Sequence, residues 1–200
     1  MRSPWNRFIS SMSTSKAASD VSSTKQKLTV VSFAFSMIIA SIAICYYVVP
    51  TFIHVGSHNS TDLERILFGL KCCAFSSLPL LVGIQVVANQ RLYSSQINPM
   101  GGTQPSYRFQ VNNRFVSNTA EQYLLLVAGT MGACATASID LRFIFTMNLI
   151  YIVGRFLFWI GYHIEPTRRA AGMSLTFFST YSLCIYAAFL FIRDDLPGLF

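Results

Sequence analysis

Charged residues are scarce in this chain. Asp, Glu, Lys and Arg together make up 12% of its 200 residues, whereas 52% are hydrophobic. Soluble domains carry about 25% charged residues, so this composition excludes an ordinary soluble domain and predicts an integral membrane protein in contact with the lipid bilayer. The net charge of +7 comes from 15 basic and 8 acidic residues. Because the basic residues are spread over a tail and particular loops, they indicate membrane topology, and no nucleic-acid partner is expected.

The sequence also lacks the motifs of common soluble enzymes and metal proteins. All five cysteines lie within apolar runs, without a Cys-x-x-Cys or Cys/His spacing, so neither a metal site nor a disulfide framework is predicted. His54 and His58 are four residues apart, but Gly56 between them favours a loop over a helical metal site. Glycine-rich phosphate loops, Ser/His/Asp arrangements and internal repeats are absent from the sequence.

The first half of the chain predicts a tail followed by a membrane anchor. Residues 1–27 are rich in Ser and Thr and carry five basic residues against a single Asp20. Such a segment cannot bury a core, and we predict a disordered cytoplasmic tail. The uncharged run Leu28–Val49 is long enough to cross a hydrocarbon layer about 30 Å thick. It begins too late and is too long for a cleaved signal peptide, so it predicts an additional transmembrane helix in residues 28–49.

Four further spans follow, and the charges of the loops orient them. Apolar runs predict spans at residues 66–89, 118–137, 143–163 and 173–192. The loop of residues 90–113 contains arginines without an acidic residue and is assigned to the cytoplasm. The loop before the second span has no lysine and carries a glycosylation sequon at Asn59, which weakly indicates the lumenal side. The predicted fold is therefore an all-α membrane protein with five spans, a cytoplasmic N-terminus and a lumenal C-terminal segment, residues 193–200.

Polar side chains gather where the third predicted span begins. On a helix, Arg114, Asn118, Glu121 and Gln122 lie on one face. Polar groups at such a place are costly unless they bind a ligand or each other. The other spans contribute polar residues at the same membrane side, namely Arg91, Arg155, Tyr162, Arg168 and Arg169. Arginines around one glutamate predict a pocket for an anionic ligand, because guanidinium groups bind carboxylates in a bidentate manner.

A purely structural interpretation of the same residues is also open. Glu121 and Arg155 can form an interhelical ion pair that holds the bundle together. Arg114, Arg168 and Arg169 can be ordinary basic anchors at the cytoplasmic interface, with Tyr162 as an aromatic belt residue. Spacing alone does not decide between the pocket and these roles.

The order of these motifs resembles the MAPEG family (membrane-associated proteins in eicosanoid and glutathione metabolism). The resemblance rests on three features of the sequence. They are Arg114-x-x-x-Asn118-x-x-Glu121 at the start of one span, Gly154-Arg155 and Tyr162 in the next span, and an arginine that follows. The resemblance covers about residues 66–192, with Leu28–Val49 as an addition. The run from Gly154 to Tyr162, the extra span and the basic tail are similar to the mattrin branch.

The resemblance implies a MAPEG-like four-helix bundle that forms a homotrimer with glutathione bound between protomers. It implies that Arg114, Asn118, Glu121 and Tyr162 hold glutathione. The predicted glutathione-binding set also includes Gln122, Arg155 and Arg168. Catalytic roles fall on Arg169 or Arg168 as partner of the thiolate, and on Arg91 as a second arginine near the thiol. Phe158 departs from the pattern, because several active members have a tyrosine or histidine there.

Two functions follow from this resemblance, and the sequence leaves both open. One is a glutathione-dependent transferase or peroxidase that acts on lipophilic electrophiles from the bilayer. The other is a non-catalytic, mattrin-like protein of the endoplasmic reticulum, Golgi or endolysosomal membranes that acts in trafficking or receptor regulation. A transporter is not expected, because the charges cluster at one membrane face and no inverted repeat is present.

Overall fold

The computed structural model describes residues 61–93, 106–136, 140–165 and 168–195, with five isolated helical positions between residues 32 and 47. Within these ranges the chain is entirely helical, and the helices are α1 (Asp62–Ser76), α2 (Leu78–Leu92), α3 (Tyr107–Cys134), α4 (Leu141–Ile164) and α5 (Arg169–Asp195). The predicted all-α class is thereby confirmed. The predicted tail, the Leu28–Val49 span as a whole and Asn59 lie outside the described residues.

Helices α1 and α2 follow each other with one interruption and together form a candidate span of 31 residues, Asp62–Leu92. A capping box fixes the beginning, because the Thr61 hydroxyl accepts from the Glu64 N–H while the Glu64 carboxylate accepts from the Thr61 N–H. The span therefore begins before the predicted residue 66. The helix is interrupted at Ser77, and Pro79 lies in the first turn of α2. Proline is tolerated there, because the N–H that it lacks would have no hydrogen-bond partner within the helix. The predicted interruption near Pro79 is present.

Helices α4 and α5 contain the last two predicted spans. Residues Leu141–Ile164 and Arg169–Arg193 are both long and apolar enough to cross a membrane. The two helices cross closely, since a Cβ atom at Gly172 would collide with the backbone of Phe158. Such contact between backbones is the packing that small residues allow between membrane helices. It fixes how α4 and α5 are rotated toward each other.

Helix α3 differs from its prediction. It begins at Tyr107 rather than Asn118, because the Ser106 hydroxyl caps it by accepting from the Phe109 N–H. The predicted loop of residues 90–113 is therefore too long, since α2 ends at Leu92 and α3 already includes residues 107–113. At 28 residues, α3 is about 42 Å long. Among the described helices, α3 is not one of the three that are apolar enough to count as candidate spans by themselves.

The helices run antiparallel, so that four of their ends meet. The C-terminal ends of α2 and α4 and the N-terminal ends of α3 and α5 lie together, as side-chain contacts between Arg91 and Phe109, Arg114 and Tyr162, and Arg169 and Tyr162 show. We call this the basic end of the bundle. A small apolar cluster lies beneath it and consists of Val111, Phe115, Phe158 and Tyr162. A larger core fills the rest of the bundle.

Candidate functional site

Tyr162 is the meeting point of three helices at the basic end. Its side chain is 4% exposed. Arg114 of α3 donates from Nη1 to the Tyr162 hydroxyl oxygen at 3.4 Å. Arg169, the first residue of α5, places its guanidinium carbon 4.9 Å from the centre of the same ring. Both arginines are exposed, so the structure brings three of the predicted site residues together at an accessible place.

Arg155 lies deeper in the bundle and is completely buried, with 0% exposure. Its Nη1 donates to Asn118 Oδ1 at 2.8 Å, and its Nε donates to Thr176 Oγ1 at 2.9 Å. The third guanidinium nitrogen, Nη2, has no hydrogen-bond partner within the described helices. Arg155 therefore ties α3, α4 and α5 together through neutral groups and adds an uncompensated positive charge beneath the exposed arginines.

Phe158 separates the buried arginine from Tyr162. Its ring lies 4.9 Å from the Arg155 guanidinium carbon and 5.7 Å, in an edge-on arrangement, from the Tyr162 ring. Only 2% of the Phe158 side chain is exposed. At the position where the resemblance leads us to expect a polar ring, the structure therefore has an apolar ring that packs inside the protomer.

The remaining polar residues of the α3 motif point in different directions. Gln122 is buried and accepts at Oε1 from the Thr180 hydroxyl at 3.3 Å, which joins α3 to α5. Glu121 is exposed. The ion pairs Arg65–Asp62 and Arg168–Glu165 involve neither Glu121 nor Arg155. The interpretation of Glu121 and Arg155 as an ion pair is therefore wrong for this protomer, because Arg155 turns toward the amide of Asn118.

Two predicted site residues lie apart from Tyr162. Arg91 places its guanidinium carbon 5.6 Å from the centre of the Phe109 ring. Arg168 donates from Nε to Glu165 Oε2 at 3.2 Å. The sequence left Arg168 and Arg169 as equivalent candidates, and the structure places only Arg169 over the ring of Tyr162.

Asn112 is a buried polar centre that the sequence did not reveal. Its Oδ1 accepts from Trp159 Nε1 at 2.9 Å and lies 2.8 Å from His163 Nε2, while its Nδ2 donates to Gln90 Oε1 at 3.1 Å. It thus connects α2, α3 and α4. The prediction missed it because residue 112 was placed in a loop. The signal was Trp159 and His163, which share one face of α4 at a spacing of four residues.

Comparisons with known proteins agree with this architecture. The chain is 20% identical to Transmembrane protein 79 of Bos taurus and 19% identical to Transmembrane protein 79 of Mus musculus, in each case over 127 residues, which are 63% of this chain and 32% of the relative. The aligned part is therefore about a third of the length of these relatives. The model of the MAPEG family matches residues 69–189. This match covers more than half of the chain and confirms the resemblance, so the chain belongs to the MAPEG family.

Proposed function

We propose that this protein binds glutathione at the basic end, with Arg114, Tyr162 and Arg169 as the centre of the site. The observation that carries the proposal is the convergence of two exposed guanidinium groups on one tyrosine. In the described helices neither arginine pairs with a carboxylate. Glutathione has two carboxylates, and arginine binds carboxylates through paired hydrogen bonds. The positive charge of Arg155 below the site adds to the attraction.

The residues around the centre divide into contacting and positioning groups. Arg114, held by the Tyr162 hydroxyl, is directed at a carboxylate of the ligand, and the exposed Glu121 is suited to its ammonium group. Asn118 is oriented by the bond from Arg155. Gln122 is bonded to Thr180 and supports the helix that carries the ligand contacts. Among the predicted binding residues, Arg155 and Gln122 therefore act through others.

The proposed chemistry depends on the thiol that glutathione supplies. A positive charge near a thiol lowers its pKa and favours the nucleophilic thiolate. Arg169 is the residue placed for this role, because its guanidinium lies at Tyr162 whereas Arg168 is bonded to Glu165. In a transferase reaction the sulfur forms a bond to an electrophilic carbon of a lipophilic substrate, and the leaving group departs with its electron pair.

The assembly and the location belong to the same proposal. The exposure of Arg114, Glu121 and Arg169 on the single protomer leaves room for a neighbouring copy to close the site, as in a homotrimer with glutathione between protomers. The excess of basic residues at one end supports a cytoplasmic basic end and a lumenal C-terminus. The proposed membranes are those of the endoplasmic reticulum, the Golgi or the endolysosomal pathway.

A second candidate function, a non-catalytic membrane protein in trafficking or receptor regulation, is favoured by one observation. The ring of Phe158 is buried between Arg155 and Tyr162. It offers no hydrogen bond to a ligand. The similarity to Transmembrane protein 79 is compatible with this alternative.

Isothermal titration of the purified full chain with glutathione tests the binding. We expect Arg169→Leu to weaken the affinity at least tenfold, because a hydrogen bond to a charged group contributes about 1.5–3 kcal/mol and 1.4 kcal/mol corresponds to a factor of ten. Arg168→Leu is the matched control and is expected to change the affinity less than threefold. Absence of binding by the unmodified protein at millimolar glutathione would refute the proposal.

The ultraviolet absorbance of the glutathione thiolate separates the two candidate functions. If the enzyme hypothesis holds, bound glutathione shows the thiolate band near neutral pH, and Arg169→Leu removes it. Binding without that band, and without turnover of an electrophile, would support the non-catalytic alternative.

A further inference from the structure

Exposed arginines are concentrated at the basic end of the bundle. Helices α2, α3 and α5 and the turn between α4 and α5 contribute these residues, which are Arg91, Arg108, Arg114, Arg168 and Arg169. Among the described acidic residues, Glu165 at the end of α4 is bonded to Arg168, and Glu121 lies farther along α3, 14 residues after its start at Tyr107. The glutathione site as proposed uses Arg114 and Arg169, so Arg91 and Arg108 are left on the α2–α3 side.

Arg91 and Arg108 lie where α2 ends and α3 begins. The guanidinium carbon of Arg91 is 5.6 Å from the centre of the Phe109 ring, and Phe109 follows Arg108 directly. Exposed aromatic rings flank the pair, because Tyr93 is 90% exposed and Tyr107 is 59% exposed. Arginine and tyrosine together are typical of the depth at which a membrane protein meets lipid headgroups.

The opposite end of the bundle has a similar arginine but a different charge balance. There, Arg193 places its guanidinium carbon 5.8 Å from the centre of the Phe189 ring. That end also has exposed acidic side chains, namely Asp62, Glu64 and Asp140. Their negative charges would repel an anionic partner. The two ends therefore differ in net charge rather than in the stacking of arginine on phenylalanine.

We infer that Arg91 and Arg108 bind the headgroups of anionic phospholipids in the leaflet at the basic end. Guanidinium groups form paired hydrogen bonds with phosphate oxygens. Stacking on Phe109 holds the Arg91 side chain and lowers the entropy lost on binding. The exposed Leu92 and the two tyrosines contact the interfacial region of the bilayer, which selects a lipid over free phosphate. This inference does not depend on glutathione binding.

Lipid retention by the full chain tests the inference. The protein is equilibrated in mixed micelles that contain equal amounts of phosphatidylcholine and phosphatidylserine, repurified, and its bound lipids are quantified by mass spectrometry. We expect enrichment of phosphatidylserine on the unmodified protein. Each arginine near an anionic surface contributes roughly a fivefold preference, so Arg91→Gln with Arg108→Gln should lower the enrichment by more than tenfold.

The matched control removes two arginines from the opposite end, Arg142→Gln with Arg193→Gln, and is expected to change the enrichment less than twofold. Equal losses in the two double variants would overturn the inference, because they would indicate a response to net charge alone. Displacement of the lipid by millimolar inorganic phosphate would also overturn it. If the Arg91/Arg108 double variant loses its helical circular dichroism, the two single variants replace it, and unchanged enrichment in both contradicts the inference.

Discussion

Replacement of Asn112 by alanine tests whether the polar centre between α2, α3 and α4 stabilises the bundle. The Asn112 side chain is 3% exposed. It accepts from Trp159 at 2.9 Å, contacts His163 at 2.8 Å and donates to Gln90 at 3.1 Å. The substitution removes all three contacts at once and leaves the indole N–H of Trp159 without its acceptor.

The expected cost follows from these contacts. Hydrogen bonds between membrane helices contribute on average about 0.6 kcal/mol each, so three bonds account for roughly 2 kcal/mol. The unsatisfied N–H of the half-buried Trp159 adds to this, because a buried donor that loses its partner costs about 1–3 kcal/mol. Together the two contributions predict a loss of about 3–5 kcal/mol in the free energy of unfolding. We expect the lower end of this range, because His163 and Gln90 can turn toward water.

Unfolding by sodium dodecyl sulfate, followed by tryptophan fluorescence and circular dichroism in mixed micelles, measures this loss. Asn113→Ala is the matched control, because the Asn113 side chain is exposed and forms no hydrogen bond with the described residues. It is expected to change the stability by less than about 0.5 kcal/mol. Asn112→Asp keeps the acceptor for Trp159 and His163 and should cost about half as much as Asn112→Ala. Equal effects of Asn112→Ala and Asn113→Ala would show that Asn112 does not hold the helices together.

Two further predictions concern the core beneath the site and use the same assay. Gly172→Ala is expected to lower the free energy of unfolding by about 3 kcal/mol or more, because the added Cβ would collide with the backbone of Phe158. Gly132→Ala is the control, since its Cβ would lie 3.3 Å from one neighbouring methyl carbon, and it should change the free energy by less than about 1 kcal/mol. A larger loss for Gly132→Ala than for Gly172→Ala would contradict the described crossing. Arg155→Ala removes the bonds to Asn118 and Thr176 and should cost about 3–5 kcal/mol, because a hydrogen bond to a charged group contributes about 1.5–3 kcal/mol. A change below about 1 kcal/mol would argue against these bonds.

Much of the fold is predictable because the hydrophobic effect acts on long, continuous segments. Three of the predicted spans, residues 66–89, 143–163 and 173–192, are apolar over a length that crosses a bilayer. Each of them lies within a candidate span of the structure. Pro79 interrupts the first of these spans at about the predicted place. Helix α3 was predicted too short, because its first turns carry mainly polar residues, and a cap at Ser106 rather than an apolar run sets its beginning.

The candidate site is predictable in its residue types but not in its contacts. Arginine, asparagine and glutamate beside an apolar run indicate function or pairing wherever they occur in a membrane protein. Which of them pair depends on helix rotation, since neighbouring positions differ by about 100° around the axis. Arg168 and Arg169 illustrate this, because one is bonded to Glu165 and the other lies over Tyr162.

The sequence by itself determined the membrane class, the family and the side of the bundle where the basic residues gather, because composition and long apolar runs are properties of the chain alone. Only the tertiary structure decided that Arg155 turns to Asn118, that Glu121 faces outward and that Asn112 joins three helices. The physical reason is that these arrangements depend on how the packed helices are rotated about their axes, because neighbouring positions differ by about 100° around a helix. The close crossing of α4 and α5, where Gly172 meets the backbone of Phe158, is one such constraint.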